Sequence, residues 1–295
     1  MSVARYTLIE LTRRRILLVF FIIGAAGIAL LGILLKVFSS SIAGTFSGGG
    51  PNGSQFTSAQ LNQLVELTFV SNLISALGLF ALLIAFAIGM TAIYHDLESG
   101  SAISIFSKPV SRFAFAVGKV SAAVVAIIVI VGLLGIEARL FILLFGGGLE
   151  QALTLEIVAS VANAITLMLL VMALTTWMNN IVAAVVAFIY NAIAGIVVAL
   201  HNQLVSGFLG DNQLVHAGLT VLYWIVPHSL ISNAPREIAQ QELSIFNAGE
   251  SGGPSVSQSL SGVPGASGVG DIVWWAFVIV VFASLVYVAV RRRQV

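Results

Sequence analysis

Six stretches of this chain are apolar with few polar interruptions: residues 16–38, 69–93, 116–145, 152–176, 181–200 and 272–290. A helix needs about 20 such residues to cross a bilayer. No stretch alternates apolar and polar positions over the ~10 residues of a barrel strand. The pattern therefore predicts an all-α fold, a polytopic membrane bundle of six transmembrane helices forming a single domain over 1–295.

Between the spans the pattern changes. Residues 1–15 mix Val3, Leu8, Ile9 and Leu11 with Arg5, Arg13, Arg14 and Arg15, which predicts an N-terminal interfacial helix able to reach lipid phosphates. The first span follows arginines and precedes Ser41-Ile42-Ala43, as a cleaved leader would, but its apolar part exceeds the roughly 7–15 residues of a signal sequence. It is read as a retained span. Residues 39–64 are rich in Ser, Gly and Asn and read as a loop, with a short helix starting near Thr57 or Ser58. Gly146-Gly147-Gly148 and Trp177-Met178-Asn179-Asn180 read as tight turns. Within the long segment 201–271, residues 217–231 are apolar but only ~15 long and broken by Pro227, which suits a re-entrant or interfacial helix. Residues 247–270 read as a Gly/Ser/Pro linker.

Composition agrees with this picture. The 295 residues are 59% hydrophobic and 8% charged, with a mean hydropathy of +1.06, against roughly 25% charged residues in a soluble domain. Zero cysteines exclude disulfides, thiolate metal sites and cysteine nucleophiles. The net charge of +1 decides little, but its distribution sets an orientation. With the N-terminus in the cytoplasm, ten of the thirteen basic residues lie inside, all but Lys36, Arg139 and Arg236. Both termini are then cytoplasmic, the cell (plasma or inner) membrane is the expected location, residues 94–115 form a cytoplasmic loop, and residues 201–271 lie outside.

Most candidate chemistry fails on inspection. Gly118-Lys119 has Phe113 and Val120 where a phosphate loop needs Gly and Ser/Thr. Gly249-Glu250-Ser251-Gly252-Gly253 matches G-x-S-x-G by letters, without the strand and helix that a nucleophile elbow requires. His95, His201, His216 and His228 lack metal-ligand spacing, although three of them fall in the same outer region. Met168 and Met172 read as core residues. Glu137 and Arg139 read as snorkelling near an outer end, and the fourth span carries Glu156, Asn163 and Thr166. No span holds a carboxylate array of the kind an ion pump needs. No catalytic or metal site is expected, and nothing points to nucleic acid. On the fifth span, Ala183, Ala187, Asn191, Gly195 and Ala199 recur every four residues, a candidate dimer or pathway face of small side chains.

The loop after the second span is more specific. It reads Asp96-Leu97-Glu98-Ser99-Gly100-Ser101, then Ser107-Lys108-Pro109-Val110-Ser111-Arg112, then Gly118-Lys119. These words in this order resemble the ABC type-2 exporter permeases, with Ser101 standing where threonine is usual. Leu11-Thr12-Arg13-Arg14-Arg15, with the apolar run from Ile16 to Phe21, looks like that family's first helix, and Tyr223-Trp224-Ile225-Val226-Pro227 resembles its outer re-entrant region more weakly. The resemblance implies a dimerising permease, not itself an enzyme, that couples ATP hydrolysis on a separate cytoplasmic subunit to export. ATP and magnesium would be held by that subunit and no cofactor by this chain. The resemblance puts docking of the ATPase on a coupling loop containing Asp96, Glu98, Ser99, Gly100, Ser101, Ile103, Phe106, Lys108, Pro109 and Arg112. The loop's chemistry is suited to this. Asp96 and Glu98 precede a short run with helical character, Ile103, Ile105 and Phe106 supply apolar contacts, and Pro109 ends it. Lys108, Arg112 and Lys119 are expected at anionic headgroups.

The expected partners are thus the ATP-binding subunit, a second permease copy, membrane lipid and an extracytoplasmic protein. Two other classes stand beside this reading: an ion-driven carrier or channel, which internal symmetry or intramembrane charge would mark, and a membrane-embedded enzyme, which a catalytic constellation would mark. Within the family, mechanical or signalling work is an alternative to transport.

Overall fold

The computed structural model describes residues 3–13, 15–46, 58–93, 111–145, 150–205, 213–247, 263 and 265–292. Its described residues form nine α-helices: α1 (Val3–Arg13), α2 (Arg15–Phe46), α3 (Ser58–Ala92), α4 (Arg112–Phe145), α5 (Glu150–Trp177), α6 (Asn180–Val205), α7 (Gln213–Ile225), α8 (Ala234–Asn247) and α9 (Val269–Arg292). Six of them, α2 to α6 and α9, are long and apolar enough to cross a membrane. The chain is a multi-pass membrane protein.

Several helices run beyond the stretches that hydropathy marks. At 35 residues, α3 is about 50 Å long at 1.5 Å per residue, against a hydrocarbon thickness of about 30 Å. The helix expected near Ser58 is the polar first part of α3, continuous with the span because no Gly or Pro stands between Ser58 and Leu77. Likewise α2 continues through Ser39–Ser41, expected as loop, to Phe46. The turn after α5 is as tight as expected: the Asn179 side chain accepts from the Ile181 amide at 3.0 Å, capping α6.

Helix α5 occupies the centre, packing along α3 and also against α4, α6 and α9, while α2 lies on α3 and α4, and α1 lies on α4. The buried core runs through Leu73, Leu77, Ile84 and Ile88 of α3, Ile127 and Leu134 of α4, and Met168 and Met172 of α5. In lipid, close helix contact depends on small side chains rather than on escape from water. Gly89 shows the closeness between α3 and α5. A Cβ there would lie 2.8 Å from Val171 Cβ and 3.0 Å from the Met168 carbonyl oxygen, so it would collide with Val171 and press on the α5 backbone.

The far segment differs from expectation. The apolar run at 217–231 is helical only to Ile225, residues 227–232 carry no regular structure, and a second helix, α8, follows. Ser232 Oγ accepts from the Ala234 amide at 3.0 Å, the Asn233 carbonyl accepts from the Arg236 and Glu237 amides, and Pro235 sits in the first turn, where its missing N–H costs nothing.

Gly89→Val is expected to destabilise the fold by about 1–3 kcal/mol through overpacking. Gly132→Val, whose Cβ would have nothing within 4 Å, is the matched control and should be near neutral. Equilibrium unfolding in mixed micelles measures both.

Candidate functional site

Two polar regions sit at opposite ends of the bundle. One lies where α4 and α9 meet, at the base of the loop that carries the motif. Ser111 Oγ accepts from the Ala114 amide at 3.1 Å and the Ser111 carbonyl accepts from the Phe115 amide at 3.0 Å, making Ser111 the N-cap of α4. Arg112 then reaches across and donates from Nη1 to the Arg291 carbonyl oxygen at 2.7 Å. That carbonyl lies in the last turn of α9, where helix carbonyls lack intrahelical partners and a cation is favoured. Phe113 stacks edge-on against Tyr287 of α9 at 5.5 Å between centroids. The Arg292 guanidinium lies 5.8 Å from the centre of the Trp177 ring at the end of α5, within cation–π range. Three spans thus converge under the loop.

Of the ten residues expected to dock an ATPase, Arg112 is described. Asp96, Glu98, Ser99, Gly100, Ser101, Ile103, Phe106, Lys108 and Pro109 lie outside the described residues, as does the Gly249–Gly253 match. Lys119 departs from expectation. Instead of lying at headgroups it is fully buried, with Nζ 5.9 Å from the Phe115 ring centre. Seven residues into α4, it faces the bundle rather than the membrane surface.

The second region is built around residues 226–233, between α7 and α8. Asn163 of α5 pairs with Leu230 as a neighbouring peptide would: its Nδ2 donates to the Leu230 carbonyl at 2.9 Å and its Oδ1 accepts from the Leu230 amide at 2.8 Å. Tyr190 of α6 donates to the Pro227 carbonyl at 2.7 Å. Ile231 pairs with Ser267 through both of its backbone groups, at 2.8 and 3.0 Å. Ser232 donates to Glu156 Oε2 at 2.6 Å.

His228 and Asp271 join this segment to the start of α9. His228 Nδ1 lies 3.1 Å from the Tyr223 carbonyl oxygen, and Nε2 lies 3.3 Å from Asp271 Oδ1. A carbonyl only accepts, so the contact to Tyr223 is a hydrogen bond in the tautomer that carries its proton on Nδ1. The Tyr223 hydroxyl donates to the same Oδ1 at 3.0 Å, and the Gly268 amide donates to Oδ2 at 2.7 Å, capping α9. The Tyr223 ring is sandwiched between His201 at 4.0 Å and His228 at 3.9 Å. Burial and the Asp271 carboxylate push its phenol above the ordinary tyrosine range. Two of the histidines therefore do come together, but as stacked rings. Among the described residues no group of three or more His, Asp or Glu side chains is placed to hold a metal ion.

The row of small residues on α6 does not stay on one face. Ala183 and Ala187 are buried within the chain, Asn191 lines a polar cavity of about 20 Å3 beside Thr166, Tyr190 and Ser229, and Gly195 and Ala199 are exposed. Steps of four overshoot a helical turn by about 40°, so the row winds through about 160° from Ala183 to Ala199. The cavity has room for about one water molecule. Glu137 is half-buried and Arg139 exposed on α4.

No protein-family model matches this chain, and no curated protein matches it.

Two measurements test the far region. Asn163→Leu leaves both polar groups of the Leu230 peptide without a partner, at about 1–3 kcal/mol for a buried group. Amide exchange at Leu230 and Ile231 should then accelerate about tenfold or more, with α2 unchanged. The Tyr223 phenol, with its folded-state value raised, stabilises the fold fully below the unfolded value of about 10 and loses that contribution as pH rises above it. Melting temperatures between pH 9 and 11 should fall less steeply in Tyr223→Phe than in the wild type.

Proposed function

We propose that this chain is the membrane-spanning permease subunit of an ABC exporter, working as a dimer with a separate cytoplasmic ATPase subunit. ATP and magnesium belong to that subunit, and the chain itself catalyses no reaction. The observation that carries the reading is the ordered motif from Asp96 to Lys119 in the loop between two spans. The geometry at its end supports it. Arg112, the last residue of the Ser-Lys-Pro-Val-Ser-Arg word, opens α4 and is hydrogen-bonded to the last turn of α9. A force applied to the loop would therefore reach two spans at once, with α5 alongside through Trp177 and Arg292.

A conformational change driven by a partner requires contacts that differ between its states. In this reading the loop supplies them, with Glu98 and Gly100 opening a short helix, Ile103 and Phe106 entering an apolar groove of the ATPase, and Lys108 and Arg112 anchoring the base. The far region around Asn163 and Asp271 serves as the fixed outer end against which the spans tilt.

Purification in mild detergent should recover a stoichiometric ATPase. Glu98→Arg combined with Ile103→Asp should abolish that recovery and the stimulated ATP turnover, leaving the six-span fold intact by circular dichroism. Recovery of the ATPase and turnover at wild-type levels would refute the docking surface, and transport by an ATPase-free preparation would refute the class.

A further inference from the structure

An apolar groove of about 230 Å3 lies between α1, the start of α2 and the middle of α4, lined by residues that include Leu8, Leu17, Phe21, Ala126, Ile130 and Leu133. Its floor and rim differ. Leu17 and Ala126 are buried, whereas Leu18 and Val129, which also line it, are about half exposed, as is Leu133. Because α2 and α4 are spans, those half-exposed rim residues face the surrounding bilayer, so the groove opens sideways into lipid. At that position the apolar molecule at hand is an acyl chain.

The charge next to the groove narrows the occupant. Arg5 is exposed on α1, three residues before Leu8, and side chains three apart share a helix face. The exposed guanidinium of Arg5 beside an apolar cleft is complementary to a lipid with a negative headgroup.

We propose that this groove is a binding site for one anionic phospholipid, whose acyl chain lies between α1 and α4 and whose phosphate is met at the Arg5 end. The bound lipid fills the wedge that α1 leaves against α4 and so holds α1 in place. The site is separate from the coupling loop and stands whether or not an ATPase docks there.

The test uses the full chain in bilayer nanodiscs containing a photoactivatable phosphatidylglycerol, diazirine-tagged on its acyl chain, or the matched phosphatidylcholine. The expected result is labelling concentrated in residues 8–21 and 126–133, about fivefold stronger for phosphatidylglycerol, the preference that one basic residue near a membrane surface confers. Arg5→Gln, an exposed change that leaves packing alone, should bring the two lipids close to parity without moving the labelled residues. Labelling spread evenly over the lipid-facing spans would overturn the site. Equal labelling by both lipids in the wild type, or an undiminished preference in Arg5→Gln, would overturn the headgroup assignment.

Discussion

Backbone polar groups inside a bilayer must pair within the protein, since no water is there to take them. Helices meet this requirement internally, and it accounts for most of the chain. Among the described residues, the irregular stretch after Pro227 meets the same need by other means. Its groups find partners on three other elements: Tyr190 on α6, Asn163 on α5, and Ser267 just ahead of α9. Satisfying one short loop thus ties α5 and α6 to the segment that leads into α9. The cluster of His228, Tyr223 and Asp271 extends the same solution to the cap of α9.

The middle of the bundle works by different means. Around α5 the contacts are made by small and aliphatic side chains, and at Gly89 the helices approach until a methyl group would collide with Val171. Close packing of this kind gives two neighbours little freedom to slide, but it lets them move as one body. The polar regions at the two ends then act as joints. At one end α4, α5 and α9 meet through Arg112, Trp177 and Arg292, and at the other α5, α6 and α9 meet through the pinned loop. Helices α5 and α9 take part in both.

Hydropathy made the six spans legible because a run of apolar residues long enough to cross a bilayer has few other uses. Their ends were less so: α2 and α3 extend into polar sequence, α2 even through Gly44, and hydropathy does not see a helix once it leaves the membrane. Asn163 stood out as a polar residue in a span, but its partner lies 67 positions away and is a peptide group, which no residue letter announces. Helix α8 did carry a local signal, Ser232-Asn233 before Pro235 and Glu237, that composition of the surrounding linker obscured. Lys119 misled for a simpler reason. A lysine near the mouth of a span reads as a headgroup contact, and only the rotation of α4 reveals that it points inward.

The contact between Arg112 and α9 has an asymmetry. The donor is a side chain, but the acceptor is the carbonyl of Arg291, which every amino acid carries. Replacing residue 291 changes what surrounds the bond and leaves its acceptor in place. Replacing residue 112 removes the bond outright. A substitution scan would therefore register this hydrogen bond at residue 112 alone, and residue 291, which supplies its acceptor, would pass as an ordinary position.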